Sequence, residues 1–172
     1  MEYIHLPHID IIGHYQFITF RTHDSTDKFL KTLSLQNKPN HKIQLDVDNY
    51  LDDSDNGAYL KGEVLNTLSD FFKRKDKTLY ELVAFSIMSN HVHLLIKPLK
   101  KLASVMHTIK GSSAKLINEI MGGSGKFWAN DYYDRAIRNE NHFEIVYEYI
   151  KNNPLKLSEA KASLPRFYGT YG

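Results

Sequence analysis

The chain has 172 residues, of which 42% are hydrophobic and 24% charged, and its 22 Lys and Arg against 20 Asp and Glu give a net charge of +2. This composition excludes a largely disordered chain, and the length fits one domain over residues 1–172. The absence of cysteine excludes disulfides, thiolate metal sites and a Cys nucleophile, so metal ligands must come from His, Asp, Glu, Asn or Gln.

The N-terminal segment, MEYIHLPHIDIIG, has neither the basic start nor the continuous apolar core of a signal peptide. No apolar run approaches the length of a membrane span, so we expect a cytoplasmic protein with no membrane partner. The net charge is too small to imply a polyanionic partner by itself. Residues 82–118 nevertheless contain five lysines and no acidic residue, which makes this segment locally basic.

The first half of the chain predicts one strand and one clear helix. Residues 15–22, YQFITFRT, are rich in aromatic and β-branched side chains and predict a strand. A short helix is expected near residues 26–35. Residues 36–57 are crowded with Asn, Asp, Lys and Pro and predict a long irregular connection. Residues 58–75 carry apolar side chains at helical spacing and end in Lys-Arg-Lys, which indicates an amphipathic helix.

Two apolar runs follow, over residues 79–88 and 91–97, and only Ser-Asn separates them. This pattern predicts a β-hairpin, and Pro98 ends its second strand. Residues 102–121 then predict a helix, which a GGSG linker follows. Residues 132–137 predict a further strand.

A last helix is expected to begin at Asn139 or Asn141, because both residues are good N-caps, and to end near Pro154. The element order is then β, α, β, β, α, β, α. This order predicts an α+β fold, a ferredoxin-like antiparallel sheet with helices packed on one face.

The hairpin carries an unusual pair of histidines in the stretch SNHVHLLIK. Residues i and i+2 of a strand share one face, so His91 and His93 project together and Val92 and Leu94 project to the other face. Two imidazoles on one face can bind one metal ion, and neutral imidazole suits Zn²⁺, Mn²⁺ and Fe²⁺ alike. The alternative is that each histidine is an ordinary hydrogen-bonded strand residue, and the triplet alone does not decide between the two.

The last predicted helix presents a second chemically useful pair. Its apolar residues recur at i, i+3, i+4 and i+7 and predict a buried stripe: Phe143, Val146, Tyr147 and Ile150. Tyr147 is therefore expected in the core. Tyr149 lies off this stripe and shares a face with Asn153, four residues later. The alternative is a surface tyrosine beside an asparagine at the helix end.

Together these segments resemble a known family, the single-tyrosine HUH transposases, and most of all the REP-associated tyrosine transposases (IS200-like). The resemblance rests on four stretches, MSNHVHLLI over 88–96, FW over 127–128, YDRAIR over 133–138 and YIKNNP over 149–154. A weaker likeness extends to FRT at the end of the first predicted strand, so nearly the whole chain is covered.

This resemblance implies a DNA transposase, a single-strand endonuclease that cleaves and rejoins single-stranded or hairpin DNA through a 5′-phosphotyrosine intermediate. It implies that His91, His93 and Asn153 bind a divalent metal, Mg²⁺ or Mn²⁺, and that Tyr149 is the catalytic nucleophile. A free phenol has a pKa near ~10 and is a poor nucleophile at neutral pH unless a nearby charge or base helps to remove its proton, and the metal offers such a charge. The enzyme would be nucleoid-associated and act as a monomer or homodimer.

Basic side chains near these motifs are candidate ligands of the DNA backbone, although any one of them can equally be a solvated surface charge. They are Lys97, Lys100, Lys110, Lys115, Arg135 and Arg138. Trp128 or Tyr132 is a candidate for stacking on an unpaired base, with core packing as the alternative.

Two other functions compete with this interpretation. The first is a noncatalytic nucleic-acid-binding domain built on a ferredoxin-like sheet, but the strands lack the aromatic signature expected of such domains. The second is a metal-dependent phosphohydrolase in which the two histidines activate water. That function requires further His or carboxylate ligands near the pair, and the sequence pattern predicts none.

Overall fold

The computed structural model describes residues 13–25, 40–162 and 165–171. Within these residues the strands are β1 (Gln16–Arg21), β2 (Tyr80–Ile87), β3 (His91–Pro98), β4 (Tyr133–Ala136) and β5 (Phe167–Gly169). The helices are α1 (Asn40–Asp53), α2 (Gly62–Arg74), α3 (Leu102–Met121), α4 (Glu140–Asn152) and the short α5 (Glu159–Ala162), and a 3₁₀ turn covers Asn153–Lys156.

The five strands form one antiparallel sheet in the order β4-β1-β3-β2-β5. The first four strands therefore have the 4-1-3-2 order expected of the ferredoxin-like arrangement. In the centre of the sheet β1 pairs with β3, in a register that sets Thr19 opposite His93 and Arg21 opposite His91. The predicted α+β fold class, with its ferredoxin-like antiparallel sheet, is confirmed.

Helices lie on both faces of this sheet and bury separate cores. Alternate residues of β1 and β3, among them Phe20 and Leu94, join the larger core that α2 and α3 cover. The other set, including Phe17 and Leu95, packs against Val146, Tyr147 and Ile150 of α4. The expected packing of helices on one face describes α2 and α3, whereas α4 covers the face that carries His91 and His93.

The helix ends follow the local sequence signals. Asn139 is the N-cap of α4, and its side chain accepts a hydrogen bond of 2.8 Å from the backbone N–H of His142. Gly122 caps the end of α3, and its left-handed φ of 69° turns the chain so that the N–H of Gly123 bonds back to the carbonyl of Asn118 at 3.0 Å. No helix in the described ranges has both the length and the apolarity to cross a membrane.

The segment between β1 and α2 differs from the prediction. The irregular connection expected over residues 36–57 is wrong, because α1 occupies Asn40–Asp53. Ile43, Val47 and Leu51 recur every four residues and form a small apolar cluster of their own. The Asn and Asp residues between them are typical of turns, and for this reason the helical spacing of the apolar residues was not recognised. The short helix predicted near residues 26–35 lies outside the described residues.

A C-terminal strand was also not predicted. β5 has only three residues and extends the sheet beyond β2. Arg166, which is buried just before it, donates hydrogen bonds to the carbonyls of Leu60 (3.0 Å) and Ile87 (2.9 Å). This arginine fastens the C-terminal segment to the sheet.

Candidate metal centre and nucleophile

The two histidines lie side by side on β3, as the strand periodicity predicts. Their ring centroids are 4.8 Å apart, and both side chains are 0% exposed. Val92 and Leu94 point into the opposite core. In each ring the Nδ1 atom has a hydrogen-bond partner, whereas the buried Nε2 atom has none among the described residues. Two buried nitrogen atoms are therefore available to a ligand.

The tautomer of His91 follows from the side chain beside it. The Nδ2 amide of Asn90 donates to three carbonyls, those of Leu51 (3.0 Å), Ser54 (3.2 Å) and Asn56 (3.2 Å). The orientation of this amide leaves its Oδ1 atom 2.8 Å from His91 Nδ1. An amide oxygen only accepts, so Nδ1 carries the proton and Nε2 presents a lone pair. Metal-binding histidines are commonly oriented by a second-shell bond of this kind.

His93 is held from the neighbouring strand. Its Nδ1 atom lies 2.8 Å from the hydroxyl of Thr19, which the β1–β3 register sets directly opposite. The ring also stacks on Phe17 at a centroid distance of 5.7 Å. Burial lowers the pKa of His91 to about 3 and holds the pKa of His93 well below its usual range. Both rings are therefore neutral at pH 7, the form in which imidazole binds metals.

Helix α1 brings two carboxylates to the histidines. Asp48 is buried, and it, His91 and His93 each offer one ligand atom, all within 4.8 Å of one another. One Asp52 oxygen lies 3.6 Å from His91 Nε2, and its second oxygen pairs with Lys156 Nζ at 3.3 Å. The absence of further carboxylates near the pair, which the sequence pattern predicted, is therefore wrong, because these carboxylates come from a helix about forty residues upstream.

Tyr149 projects from α4 into the same site. Its hydroxyl donates a hydrogen bond of 2.9 Å to Asp48 Oδ2, and its ring lies edge-on to His93 at 5.4 Å between centroids. Burial, with the negative charge of Asp48, raises the pKa of Tyr149 above its usual range. Lys156 Nζ lies 5.1 Å from the ring centroid. The tyrosine and the two histidines of a single chain thus share one site.

Asn153 lies one turn beyond Tyr149, at the start of the 3₁₀ turn. It is 1% exposed, and neither its Oδ1 nor its Nδ2 atom makes a hydrogen bond of ordinary geometry within the described part of the chain, although its amide is close enough to the Tyr149 hydroxyl to lower the pKa of that phenol. A buried amide without partners costs free energy unless something binds it. Tyr147, in contrast, lies in the core, and its hydroxyl bonds to the carbonyl of Tyr171.

The donor set fits a divalent metal ion. Two imidazole lone pairs and a carboxylate are ligands that Mn²⁺ and similar ions accept. The ligand atoms of Asp48, His91 and His93 lie within 4.8 Å of one another; bonds of about 2.1 Å allow at most about 4.2 Å between two ligand atoms, so binding of one ion requires a small inward movement of these side chains. The two Nε2 atoms without hydrogen-bond partners in the described part of the chain supply an independent reason for a ligand.

The basic residues predicted to bind DNA occupy different surroundings. Lys110 has a structural role, because its ammonium donates hydrogen bonds to the carbonyls of Ala129 and Asp131. Lys97 is half-buried and lies 4.0 Å from the carboxylate of Glu81. Lys100, Lys115 and Arg138 are exposed, and Arg135 is half-buried on the face of β4 that continues from Phe17.

The two aromatic candidates for base stacking also differ. Trp128 is part of the larger core, where its indole N–H donates to Ser113 Oγ at 2.9 Å, so its ring is not available to a base. Tyr132 is half-exposed beside Lys110, whose Nζ is 5.9 Å from the ring centroid.

Known proteins similar to this chain are transposases. Among solved structures, the chain is similar to a REP-associated tyrosine transposase bound to a REP hairpin, with 16% identity, a TM-score of 0.56 and coverage of 96% of this chain and 82% of that one. It is also similar to a putative transposase from Deinococcus radiodurans R1, with 18% identity, a TM-score of 0.49 and coverage of 83% and 92%. The first likeness shows the shared fold. No curated protein matches the chain.

A family model described as "Transposase IS200 like" matches residues 56–153. The match includes β3 with both histidines and α4 with Tyr149, and it ends at Asn153; α1 precedes it. The family expected from the sequence motifs is confirmed. Since the match spans more than half of the chain, this protein belongs to the IS200-like transposase family.

Proposed function

We propose that the protein is a metal-dependent tyrosine transposase that cleaves and rejoins single-stranded or hairpin DNA. The observation that carries this proposal is the convergence of the Tyr149 hydroxyl with two buried, orphaned imidazole nitrogens within one chain. If the two histidines had only a structural role, their buried Nε2 atoms would be expected to have hydrogen-bond partners. A tyrosine with only a structural role would not require a buried carboxylate as its hydrogen-bond acceptor.

In this proposal His91, His93 and Asn153 hold Mg²⁺ or Mn²⁺. The bound ion would polarise a nonbridging oxygen of the scissile phosphate and offset the negative charge that develops there. The chain supplies the remaining parts of the site. Asn90 and Thr19 orient the two imidazoles, and α4 holds the Tyr149 hydroxyl against the same site.

The reaction is a transesterification. The Tyr149 oxygen attacks phosphorus, the new P–O bond forms as the bond to the 3′ oxygen breaks, and the phenolic proton is finally carried by the released 3′-OH. The products are a 5′-phosphotyrosine and a free 3′-OH, which can reverse the reaction and rejoin strands. Bond energy is conserved, so no nucleotide cofactor is required.

We infer the kind of DNA that the protein binds from the shape of the site and from the similarity of the chain to known proteins. A phosphate in a regular duplex cannot pass between a sheet face and a helix, so an unpaired strand or a hairpin end is the substrate expected. A REP hairpin is also the partner bound to the similar REP-associated tyrosine transposase. Of the predicted residues, Lys100, Lys115 and Arg138 are exposed and are therefore the ones that we assign to the DNA backbone.

The assembly and location of the enzyme follow from the same proposal. Since one chain carries both the tyrosine and the histidines, a monomer can have a complete site, and a homodimer would contain two. An enzyme with this substrate works on the bacterial chromosome, at the nucleoid in the cytoplasm.

A phosphohydrolase is the second candidate, because Asp48 and Asp52 supply the carboxylates that this function requires near the histidines. The two functions differ in their product. A hydrolase releases its product into solution, whereas the transposase retains DNA on the protein through a covalent bond.

The test is to incubate the protein with a labelled hairpin DNA that has a single-stranded flank, in the presence of Mn²⁺ or Mg²⁺, and to separate the products on a denaturing gel. We expect a labelled protein band in the wild type and none in Tyr149→Phe. Tyr147→Phe is the matched control, since it removes a hydroxyl two residues away that contacts the C-terminal segment and should keep the band. A band that persists in Tyr149→Phe, or cleavage without any band, would contradict the proposal.

A further inference from the structure

We propose that Asp48 is an additional ligand of the metal at this site and that its second oxygen positions the Tyr149 hydroxyl beside the ion. This inference deepens the proposed function and rests on it for the role of Tyr149. It adds a residue that precedes the family match and that belongs to a helix which the sequence pattern did not predict.

The position of Asp48 supports a bridge between the metal and the nucleophile. Its carboxylate shares the site with His91 and His93, with ligand atoms within 4.8 Å of one another. Its Oδ2 atom accepts the hydrogen bond from Tyr149 at 2.9 Å, and its Oδ1 atom accepts one from Gln44 Nε2 at 2.7 Å. Each carboxylate oxygen can accept two interactions, so both oxygens retain capacity for a metal bond.

The charge of Asp48 supplies a second reason. The side chain is 3% exposed, and the two groups that donate hydrogen bonds to it, the Gln44 amide and the Tyr149 hydroxyl, are both neutral. The nearby ammonium of Lys156 pairs with Asp52 instead. A buried carboxylate is costly without an opposite charge. A divalent cation between Asp48 and the histidines would supply that charge.

Helix α1 is built to hold the carboxylate in this place. Val47 and Leu51 pack inward with Ile43, and Gln44, one turn before Asp48, fixes the carboxylate from within the helix. At the end of α1, the carbonyl of Leu51 accepts a bond from Asn90, the same residue that orients His91. The carboxylate and the imidazole are therefore positioned through one connected set of bonds.

Binding of Mn²⁺ alone tests the metal role without any requirement for activity. Isothermal titration of the full chain with Mn²⁺ should show at least about tenfold weaker affinity in Asp48→Asn than in the wild type, since loss of even an outer-shell partner costs 10–100-fold. Asp53→Asn is the matched control, because Asp53 is exposed on the same helix. This variant should bind Mn²⁺ with the affinity of the wild type. Wild-type affinity in Asp48→Asn would overturn the inference.

Thermal unfolding with and without Mn²⁺ separates ligation from a structural effect. The wild type should gain stability on adding Mn²⁺, and Asp48→Asn should gain much less, although the substitution also relieves the cost of burying this carboxyl group. If Asp48→Asn does not fold, Asp48→Ser takes its place in both measurements. An equal gain in the variant and the wild type would contradict a ligand role.

The positioning role is read from the covalent product. At saturating Mn²⁺, the Asp48 variant should form the phosphotyrosine adduct at least about tenfold more slowly, while its affinity for the hairpin DNA stays unchanged. A wild-type rate would refute positioning. If the wild type itself forms no adduct, the proposed function fails, but the Mn²⁺ titration still decides whether Asp48 is a ligand.

Discussion

Asn90 connects the fold to the candidate metal centre, and its replacement by Ala should damage both. The change removes the two amide N–H donors, which the carbonyls of Leu51, Ser54 and Asn56 share, and the oxygen acceptor that orients His91. At about 1 kcal/mol for each of these two donors and for the acceptor, Asn90→Ala should cost about 3 kcal/mol of unfolding free energy. For a domain of this size, that loss corresponds to a melting temperature lower by roughly 6–12 °C.

The effect on metal binding is separable from this loss of stability. Without the Oδ1 acceptor, the His91 ring can rotate or move its proton to Nε2, and either change removes the lone pair from the site. We expect Mn²⁺ affinity to fall by 10–100-fold, the usual cost of losing such a partner. The measurements are thermal unfolding followed by circular dichroism in the presence of a chelator, and calorimetric titration with Mn²⁺ at a temperature where the variant is folded.

Ser89→Ala is the matched control for Asn90→Ala. Ser89 is the neighbouring residue of the same turn and is buried, but its hydroxyl has no hydrogen-bond partner among the described residues. Its removal should change stability by no more than about 0.5 kcal/mol and leave Mn²⁺ affinity unchanged. If Asn90→Ala binds Mn²⁺ like the wild type, the argument for the His91 tautomer is refuted. A similar loss in both variants would show that the turn is generally sensitive.

Three further changes test other parts of the site. Lys156→Met leaves the Asp52 carboxylate without the ammonium 3.3 Å away. Because Lys156 is partly exposed, the free energy of unfolding measured in denaturant should fall by roughly 1–2 kcal/mol. An unchanged free energy would mean that the ion pair is not formed. Lys115→Ala should lower the slope of log Kd for single-stranded DNA against log salt concentration by about 0.7. Lys110→Ala should chiefly lower the stability of the fold, since Lys110 donates hydrogen bonds to two backbone carbonyls. The reverse pattern would refute these assignments. His93→Ala should abolish the adduct at every Mn²⁺ concentration, and adduct formation restored by excess Mn²⁺ would show that His93 is dispensable.

Local periodicity predicted those parts of the site that lie within single elements. The two-residue repeat of β3 places both histidines on one face, and the stripe of α4 separates the core Tyr147 from Tyr149 and Asn153. These relations depend only on strand and helix geometry, which a short window of sequence contains. The ferredoxin-like sheet was predictable because the same short stretches of sequence indicate the order of the strands and helices along the chain.

The contributions of distant elements could not be predicted in this way. Tyr149 and Asp48 are 101 positions apart, and no local pattern indicates that they meet. The carboxylate also lies in a helix whose Asn and Asp content is typical of loops. Asn90 is typical of a hairpin turn, yet its side chain binds the backbone of the segment that follows α1. Lys110 belongs to a basic segment, but it contacts carbonyls of the chain itself.

The complete burial of both imidazoles has a consequence for how the enzyme would run. In the proposed mechanism, a nucleic acid strand would reach a cation held there only after α1 or α4 moved aside, and Asp48 would have to return to the Tyr149 hydroxyl before the attack. The apolar anchor of α1 is small, formed by Val47 and Leu51 with Ile43, which makes α1 the cheaper element to move. The frequency of that opening then sets an upper limit on turnover, whatever the intrinsic speed of phosphoryl transfer.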